Sequence, residues 1–266
     1  MDNRAIGVFD SGVGGLTAVR RLHEIMPNED IIYFGDTGRV PYGTRSPETI
    51  LKYARQDVRF LRKFDIKAIV IACNTVSAVA LETVAAETDV PIIGVVWPAC
   101  AKALSATRTG RIGVIGTQAT VRSGVYARML TAARPGLSVH MQACPLFVPL
   151  AENGRVHRGD IVPETLAREY LAPIQAAGVD TLILACTHYP LLSEVIADVM
   201  GPDVTLIDSG AAAAESVRGM LIPAGDRAGD TRYFVSDDPE GFNRLAPGFL
   251  NGPLSHPAER VDISDY

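Results

Sequence analysis

Residues 181–190 read TLILACTHYP and residues 68–76 read AIVIACNTV, so each stretch is a short apolar run that ends in Ala-Cys and continues into polar residues. An uninterrupted apolar run of this length, rich in β-branched residues and bounded by turn-forming residues, is typical of a parallel strand buried on both faces. Cys73 and Cys186 therefore follow two such strands, and in open α/β sheets ligands bind at this end. The two stretches predict two α/β units that each present one thiol.

Short apolar strands alternate with helical patterns along the rest of the chain, and this alternation predicts doubly wound parallel sheets. The segments IGVFDSG at 6–12 and IGVIGTQ at 112–118 open two similar series, which an internal duplication explains. We therefore predict an α/β fold of two doubly wound, mainly parallel-sheet lobes, related by a pseudo-two-fold duplication, with the active site between them. The predicted strands are residues 5–9, 31–35, 67–72, 91–95, 111–115, 137–142, 181–185, 204–208 and 232–235.

The two lobes are assigned to discontinuous parts of the chain. Residues 1–97 plus 209–266 are predicted to form the first lobe, which carries Asp10 and Cys73. The segment after residue 208 is assigned to this lobe because it has no counterpart in the other half of the duplication. Residues 98–208 are predicted to form the second lobe, with Thr117, Cys186 and His188. Within it, residues 146–178 are expected to be largely helical, with breaks around Gly154 and Pro163.

Composition limits the classes of partner. The chain has 266 residues and a formal net charge of −5, which provides no basic field for nucleic acid or for an anionic membrane. The first residues enter a predicted strand almost at once, which argues against a signal peptide, and no apolar run approaches the roughly 18 residues of a membrane span. Four cysteines are too few for a disulfide framework, so we predict a reducing, cytoplasmic location.

Polar residues suited to binding a ligand follow each strand-end thiol: Asn74 and Thr75 after Cys73, and Thr187 and His188 after Cys186. A helix that starts after a thiol is expected to stabilise the thiolate through its dipole. His188 could relay a proton at Cys186, and Glu152 is a weaker candidate of the same kind. Cys100 and Cys144 are interpreted as small buried hydrophobes.

Neither a metal nor a cofactor is predicted. Cys73, Cys186 and His188 could supply three ligands, but the paired Cys-x₂₋₄-Cys spacing of a zinc site and the Cys-x-x-Cys spacing of a redox site are both missing. A Schiff-base cofactor would need a lysine at the C-terminal end of a strand. The lysines fall elsewhere, at Lys52, Lys63, Lys67 and Lys102.

A glycine-rich turn, Asp10-Ser11-Gly12-x-Gly14-Gly15, follows the first strand. Such turns commonly hold phosphate, but this one is neither a dinucleotide fingerprint nor a P-loop, and the carboxylate of Asp10 would repel an anion. The turn suits an ammonium group, or Asp10 simply caps it.

Four motifs in order carry a resemblance: DSGVGGLT at 10–17, GDTGRVPYG at 35–43, ACNTVSA at 72–78 and ACTHYPLL at 185–192. They resemble the glutamate racemases of the cofactor-independent aspartate/glutamate racemase superfamily, and the resemblance extends from residue 6 to residue 249. It implies interconversion of L- and D-glutamate by two thiols without a cofactor, supplying D-glutamate for peptidoglycan. Inverting a Cα centre needs a base on one face and an acid on the other, which two thiols across a cleft provide.

The resemblance also implies individual roles. Cys73 would act on D-glutamate and Cys186 on L-glutamate, while Asp10 assists proton transfer at Cys73 and His188 at Cys186. The expected substrate contacts form three groups: Asp10 and Ser11 for the ammonium; Asn74, Thr75 and Thr187, beside His188, for the α-carboxylate; and Ser11, the loop Pro41-Tyr42-Gly43, Thr117 and Thr120 for the side-chain carboxylate.

Two other functions stay open from the sequence. An aspartate racemase of the same superfamily differs by one methylene of substrate. A non-catalytic protein that binds an amino acid between two hinged lobes would share the architecture, although it would have no need of two strand-end thiols. The expected partner is a small molecule, glutamate, without nucleic acid or membrane; some relatives form dimers, and no feature of the sequence decides whether this chain is a homodimer.

Overall fold

A computed structural model describes all 266 residues of the chain. Ten strands form two sheets, and every paired strand is parallel to its neighbour. Each strand expected from the sequence is present, and one very short strand near the C-terminus is additional. The strands are β1 (Ala5–Asp10), β2 (Ile31–Gly35), β3 (Ile66–Ile71), β4 (Ile92–Gly94), β5 (Arg111–Gly116), β6 (Ser138–Ala143), β7 (Thr181–Ala185), β8 (Thr205–Asp208), β9 (Thr231–Val235) and β10 (Glu259–Arg260).

Twelve α-helices connect these strands: α1 (Leu16–Ile25), α2 (Pro47–Leu61), α3 (Asn74–Val79), α4 (Leu81–Ala86), α5 (Val96–Ala106), α6 (Gln118–Ser123), α7 (Val125–Ala133), α8 (Phe147–Glu152), α9 (Ile161–Ala176), α10 (Ser193–Met200), α11 (Ser209–Met220) and α12 (Pro239–Leu250). The predicted break around Gly154 is present between α8 and α9. The break expected around Pro163 is wrong, because Asp160 caps α9 and Pro163 lies in its first turn, where a missing amide hydrogen breaks no helical bond.

The two sheets are each covered by helices on both faces, as the doubly wound prediction requires. The first sheet has the order β10-β9-β2-β1-β3-β4 and the second β6-β5-β7-β8. Alternate residues of β3 enter different cores: Ala68 and Val70 pack on one side of the sheet, and Ile69 and Ile71 on the other. The predicted fold of two mainly parallel lobes is therefore confirmed.

The C-terminal segment adds to the first sheet. Strand β9 pairs with β2 along its whole length, although it follows the second sheet in the chain. Along the chain, α5 leads from the first sheet to the second and α11 leads back to the first. The two helices contact each other. The predicted lobe boundaries lie between residues 97 and 98, within α5, and between residues 208 and 209, at the start of α11. These boundaries stay a prediction. No helix combines the length and apolar character that crossing a membrane requires.

A buried ion pair ties the start of β3 to the residues near the N-terminus and to the segment after α11. Lys67 Nζ lies 2.5 Å from Glu29 Oε2, with both side chains 2% exposed. The same ammonium donates to the carbonyls of Asp2 and Ile222, and Ala224 N–H donates to the Glu29 carboxylate. The strand that ends before Cys73 is thus anchored at its other end by a buried charge pair.

Replacing Lys67 with alanine is expected to lower the free energy of unfolding by about 3–5 kcal/mol, because Glu29 would stay buried without its cation. Urea unfolding followed by circular dichroism measures the change. Lys102→Ala is the matched control, since Lys102 pairs with Glu215 at the surface, and exposed pairs contribute only about 0–1 kcal/mol. Equal losses in the two variants would contradict the role assigned to the Lys67 pair.

Candidate active site

A cavity of about 370 Å³ lies between the lobes, at the C-terminal ends of the central strands. Both strand-end thiols line it, Cys73 from the first lobe and Cys186 from the second. The other lining residues are Ser11, Gly12, Val40, Pro41, Tyr42, Gly43, Thr44, Asn74, Thr75, Thr117, Gln118, Pro145, Val148, Pro149, Glu152, Thr187 and His188.

Cys73 is a buried thiol on the first lobe's side of the cavity. It follows β3 and is 5% exposed, and its Sγ donates to Ser11 Oγ at 3.7 Å. Burial, reinforced by the negative charge of Asp10, raises the pKa of Cys73 to about 12. A general base at this position is therefore a strong one once its proton has been removed.

Cys186 follows β7 and is 6% exposed. Burial raises the pKa of its thiol well above the ordinary value. His188 Nδ1 lies 3.9 Å from the Cys186 sulfur, and His188 Nε2 lies 3.0 Å from Glu152 Oε1. Glu152 and His188 thus form a chain of hydrogen-bonding groups that ends at the thiol.

The expected helix effect on the thiols is present but is outweighed: the backbone amides of Val76 in α3 and of His188 lower the pKa of Cys73 and of Cys186, and desolvation raises both by more. The helix after Cys73, α3, has six residues, and Cys186 is followed only by a short 3₁₀ turn at Tyr189–Leu192. A dipole develops with the number of aligned peptides, so these segments offset little of the desolvation that two buried sulfurs experience.

Asp10 lies behind the cavity wall. It ends β1, is fully buried, and its Oδ2 accepts the amide hydrogens of Gly12 and Gly15. Its Oδ1 has no hydrogen-bond partner. Burial raises the pKa of Asp10, against the opposing influence of His188. The expected ammonium contact stays a prediction, and Asp10 has one carboxylate oxygen free to make it.

Asn74 joins the lobes at the cavity. Its Oδ1 accepts a hydrogen bond from Tyr126 of α7 at 2.5 Å, and its Nδ2 donates to Ser209 at 3.0 Å. Ser209 in turn donates to the carbonyl of Leu184 in β7. One hydrogen of the Asn74 amide remains for a ligand, and Tyr126 and Ser209 set the orientation of that amide.

Three threonine hydroxyls meet across the cleft. Thr75 Oγ1 lies 2.9 Å from Thr117 Oγ1 and 3.4 Å from Thr120 Oγ1, and Thr117 and Thr120 are 3.1 Å apart. Thr117 caps α6 by accepting from Thr120 N–H. Thr75 and Thr117 line the cavity, whereas Thr120 is buried behind them.

The loop between β2 and α2 rests on a buried charge cluster that sequence reasoning missed. Arg39 contacts Asp36 at 2.5 Å and Asp57 at 3.0 Å, and both carboxylates are fully buried. Tyr42 donates its hydroxyl to Asp36. Burial and the neighbouring Asp36 raise the pKa of Asp57. Tyr42 therefore lines the cavity while its hydroxyl is held by Asp36, which fixes the loop.

Two glycines permit close contact between the lobes. A methyl group on Gly14 would lie 2.3 Å from Thr187 Oγ1 and 2.5 Å from His188, and one on Gly43 would lie 2.9 Å from Thr117. Thr17 Oγ1 also donates to the Thr187 carbonyl at 2.9 Å. The glycine-rich turn thus allows the Thr187-His188 segment to pack closely against it.

No group of three or more His, Cys, Asp or Glu side chains is placed to hold a metal.

Each lobe places a buried thiol on one cavity, with ionisable groups directly behind, and this arrangement is suited to proton transfer at the two faces of a substrate. Residues 6–217 match the model of the Asp/Glu/hydantoin racemase family, and the chain belongs to this family of isomerases. The glutamate racemase of Geobacter metallireducens is 48% identical over 256 residues, covering 94% of each chain.

Solved structures agree with the sequence match. A glutamate racemase isoform from Bacillus anthracis superposes with a TM-score of 0.93 at 36% identity, covering 98% of each chain. The glutamate racemase of Francisella tularensis, solved in complex with D-glutamate, gives a TM-score of 0.91 at 41% identity over 100% of each chain. The family resemblance seen in the four motifs is thus confirmed.

Without added glutamate, the thiolate absorbance of Cys73 is expected to appear only at strongly alkaline pH. Its raised pKa keeps the thiol protonated through the range in which a free cysteine, with a pKa near about 8.5, ionises. The ultraviolet difference spectrum between the native protein and Cys73→Ser measures this, with free cysteine as reference. A step in that spectrum near neutral pH would contradict the assignment.

Proposed function

We propose that the protein interconverts L- and D-glutamate by proton transfer between Cα and two cysteines. The observation that carries the proposal is the placement of Cys73 and Cys186, from different lobes, on one small cavity. The relatives named above as glutamate racemases support the choice of substrate. The peptidoglycan role proposed for the D-glutamate rests on the family resemblance.

In the proposed reaction, the Cys73 thiolate takes the Cα proton of D-glutamate, and the Cys186 thiol delivers its proton to the opposite face. The product is L-glutamate, with a Cys73 thiol and a Cys186 thiolate, so the reverse reaction starts from the opposite protonation state. The Cα–H is a weak acid, and the hydroxyl and amide donors of Thr75, Thr117 and Asn74 are the groups available to stabilise charge on the carboxylates.

Substrate binding would also change the acidity of the thiols. The negative charge of Asp10 is one cause of the raised Cys73 pKa, and its Oδ1 lacks a partner. An ammonium group near Asp10 would cancel this charge and favour the thiolate. On the other side, His188 lies close enough to Cys186 to accept or return a proton while Glu152 orients the imidazole.

The cellular setting is part of the proposal. We place the enzyme in the cytoplasm, because all four cysteines are free thiols, as in a reducing compartment. Glutamate is the proposed partner, without nucleic acid.

Exchange in D₂O tests the two-thiol reaction, starting separately from L- and D-glutamate without added cofactor. Deuterium is expected mainly in the product enantiomer, because each thiol serves one face. Cys73→Ser and Cys186→Ser should each reduce racemisation by about 10²–10⁴-fold, the usual contribution of a positioned acid or base. Cys100→Ser, which removes a buried thiol outside the cavity, is the control. Full racemisation by Cys73→Ser would refute the mechanism.

Aspartate is expected to react more slowly than glutamate. It is one methylene shorter, so its two carboxylates cannot both reach groups spaced for glutamate, and a methylene in a pocket typically changes kcat/KM by about 10–200-fold. Parallel exchange assays with the two amino acids measure the ratio. Equal or faster reaction with aspartate would favour the aspartate racemase alternative, and saturable binding of either without exchange would favour the binding protein.

A further inference from the structure

The side-chain amide of Asn74 is held by two partners, and neither of them lines the substrate cavity. Asn74 itself does line the cavity; it is 2% exposed, begins α3 and directly follows Cys73. Its Oδ1 accepts from the Tyr126 hydroxyl at 2.5 Å, and its Nδ2 donates to Ser209 Oγ at 3.0 Å. Tyr126 and Ser209 are both buried, so they can influence a substrate only through Asn74.

The polarity of these hydrogen bonds determines which end of the amide faces which partner. Ser209 has a single hydroxyl hydrogen, which it donates to the Leu184 carbonyl at 3.0 Å. Ser209 can therefore only accept from Asn74, so the amide nitrogen has to face Ser209. The amide oxygen then faces Tyr126, whose hydroxyl donates to it. The second hydrogen on the amide nitrogen remains as a donor for a ligand in the cavity.

The Tyr126 hydroxyl is the only donor that the Asn74 oxygen has among the side chains. A buried amide oxygen without a donor is unfavourable, so loss of this hydroxyl would favour any rotation of the amide that brings the oxygen to another donor. A rotated amide would turn its lone pairs toward the place where the resting amide offers a hydrogen. A carboxylate that approached the rotated amide would be repelled, whereas the resting amide can bind it.

The same hydrogen bonds join the chain segments that carry the two thiols. Asn74 follows Cys73, and Leu184 lies two residues before Cys186 in β7. Ser209 is bonded both to the Asn74 amide and to the Leu184 carbonyl, so it links these two segments directly. Tyr126 belongs to the same hydrophobic cluster as residues 183 and 185 of β7, which fixes its ring in the second lobe. A shift of Asn74 would therefore change the placement of Cys73 relative to Cys186.

We propose that Tyr126 and Ser209 are positioning residues of the reaction. Their hydrogen bonds direct the free N–H of Asn74 toward the α-carboxylate of the substrate and fix Cys73 relative to Cys186. This role rests on the proposed racemase function, and it is exerted entirely through Asn74.

Tyr126→Phe tests the role, because it removes the hydroxyl and keeps the ring that packs in the core. We expect kcat/KM for glutamate to fall by about 10–100-fold, the usual range for a lost buried hydrogen bond combined with a misplaced binding group. Tyr233→Phe is the control, because Tyr233 is a buried tyrosine of β9 outside the cavity, and it should keep the native kcat/KM. Thermal melts followed by circular dichroism show whether each variant is folded at the assay temperature.

A double-mutant cycle distinguishes positioning through Asn74 from a general effect on the fold. In the Asn74→Ala background, Tyr126→Phe should change kcat/KM by less than about twofold, because the group that it positions has been removed. Deuterium exchange in D₂O over long incubations measures the slow variants. Ser209→Ala removes the other partner of the amide and should show the same dependence on Asn74, which keeps the role testable even if Tyr126→Phe unfolds.

Two results would overturn the positioning role while the native protein racemises glutamate. One is native kcat/KM in folded Tyr126→Phe and Ser209→Ala, and the other is an equal loss from these substitutions with and without the Asn74 amide. Absence of racemisation by the native protein would instead overturn the proposed function, and the positioning role with it. The two failures are therefore distinguished by the native protein alone.

Discussion

Desolvation of two thiols is the constraint on which the rest of the site depends. Cys73 and Cys186 follow strands that are buried on both faces, so each sulfur is removed from water before a substrate arrives. This burial raises both pKa values and so favours the neutral form of each thiol. Every ionisable group packed behind them, above all Asp10 and His188, therefore acts on how readily a proton leaves sulfur.

Most of the fold could be predicted from local patterns in the sequence. Apolar, β-branched runs bounded by turn residues located the strands, because a buried parallel strand needs a continuous apolar segment. Capping at Asp160 was a local signal too, and it explains why Pro163 does not end α9. The short strand β10 contains no apolar residue and lies at a sheet edge, so no periodicity marked it.

The site was less predictable, for a different reason. Both thiols and the residues beside them could be found because they lie together in short motifs. The hydrogen bonds that orient them join distant positions: Tyr126 reaches Asn74 across 52 residues, and Asn74 reaches Ser209 across 135. Asp57 is similar, since it appears in the sequence as one polar residue of α2, and only packing shows that it supports the Arg39 loop. The sequence also could not show whether the helix dipole or desolvation has the larger effect on the pKa values of the thiols, because the burial of the thiols has to be known first.

The hydrogen bonds across the cleft have a consequence for how the molecule unfolds. Asn74 is bonded to Tyr126, Thr17 to the Thr187 carbonyl, and the Thr75 hydroxyl to the threonines of α6. The two sheets are separate in topology, yet neither can lose its structure without leaving buried polar groups of the other unpaired. We therefore expect the lobes to melt in one cooperative transition, so that catalytic geometry and global stability are lost at the same temperature.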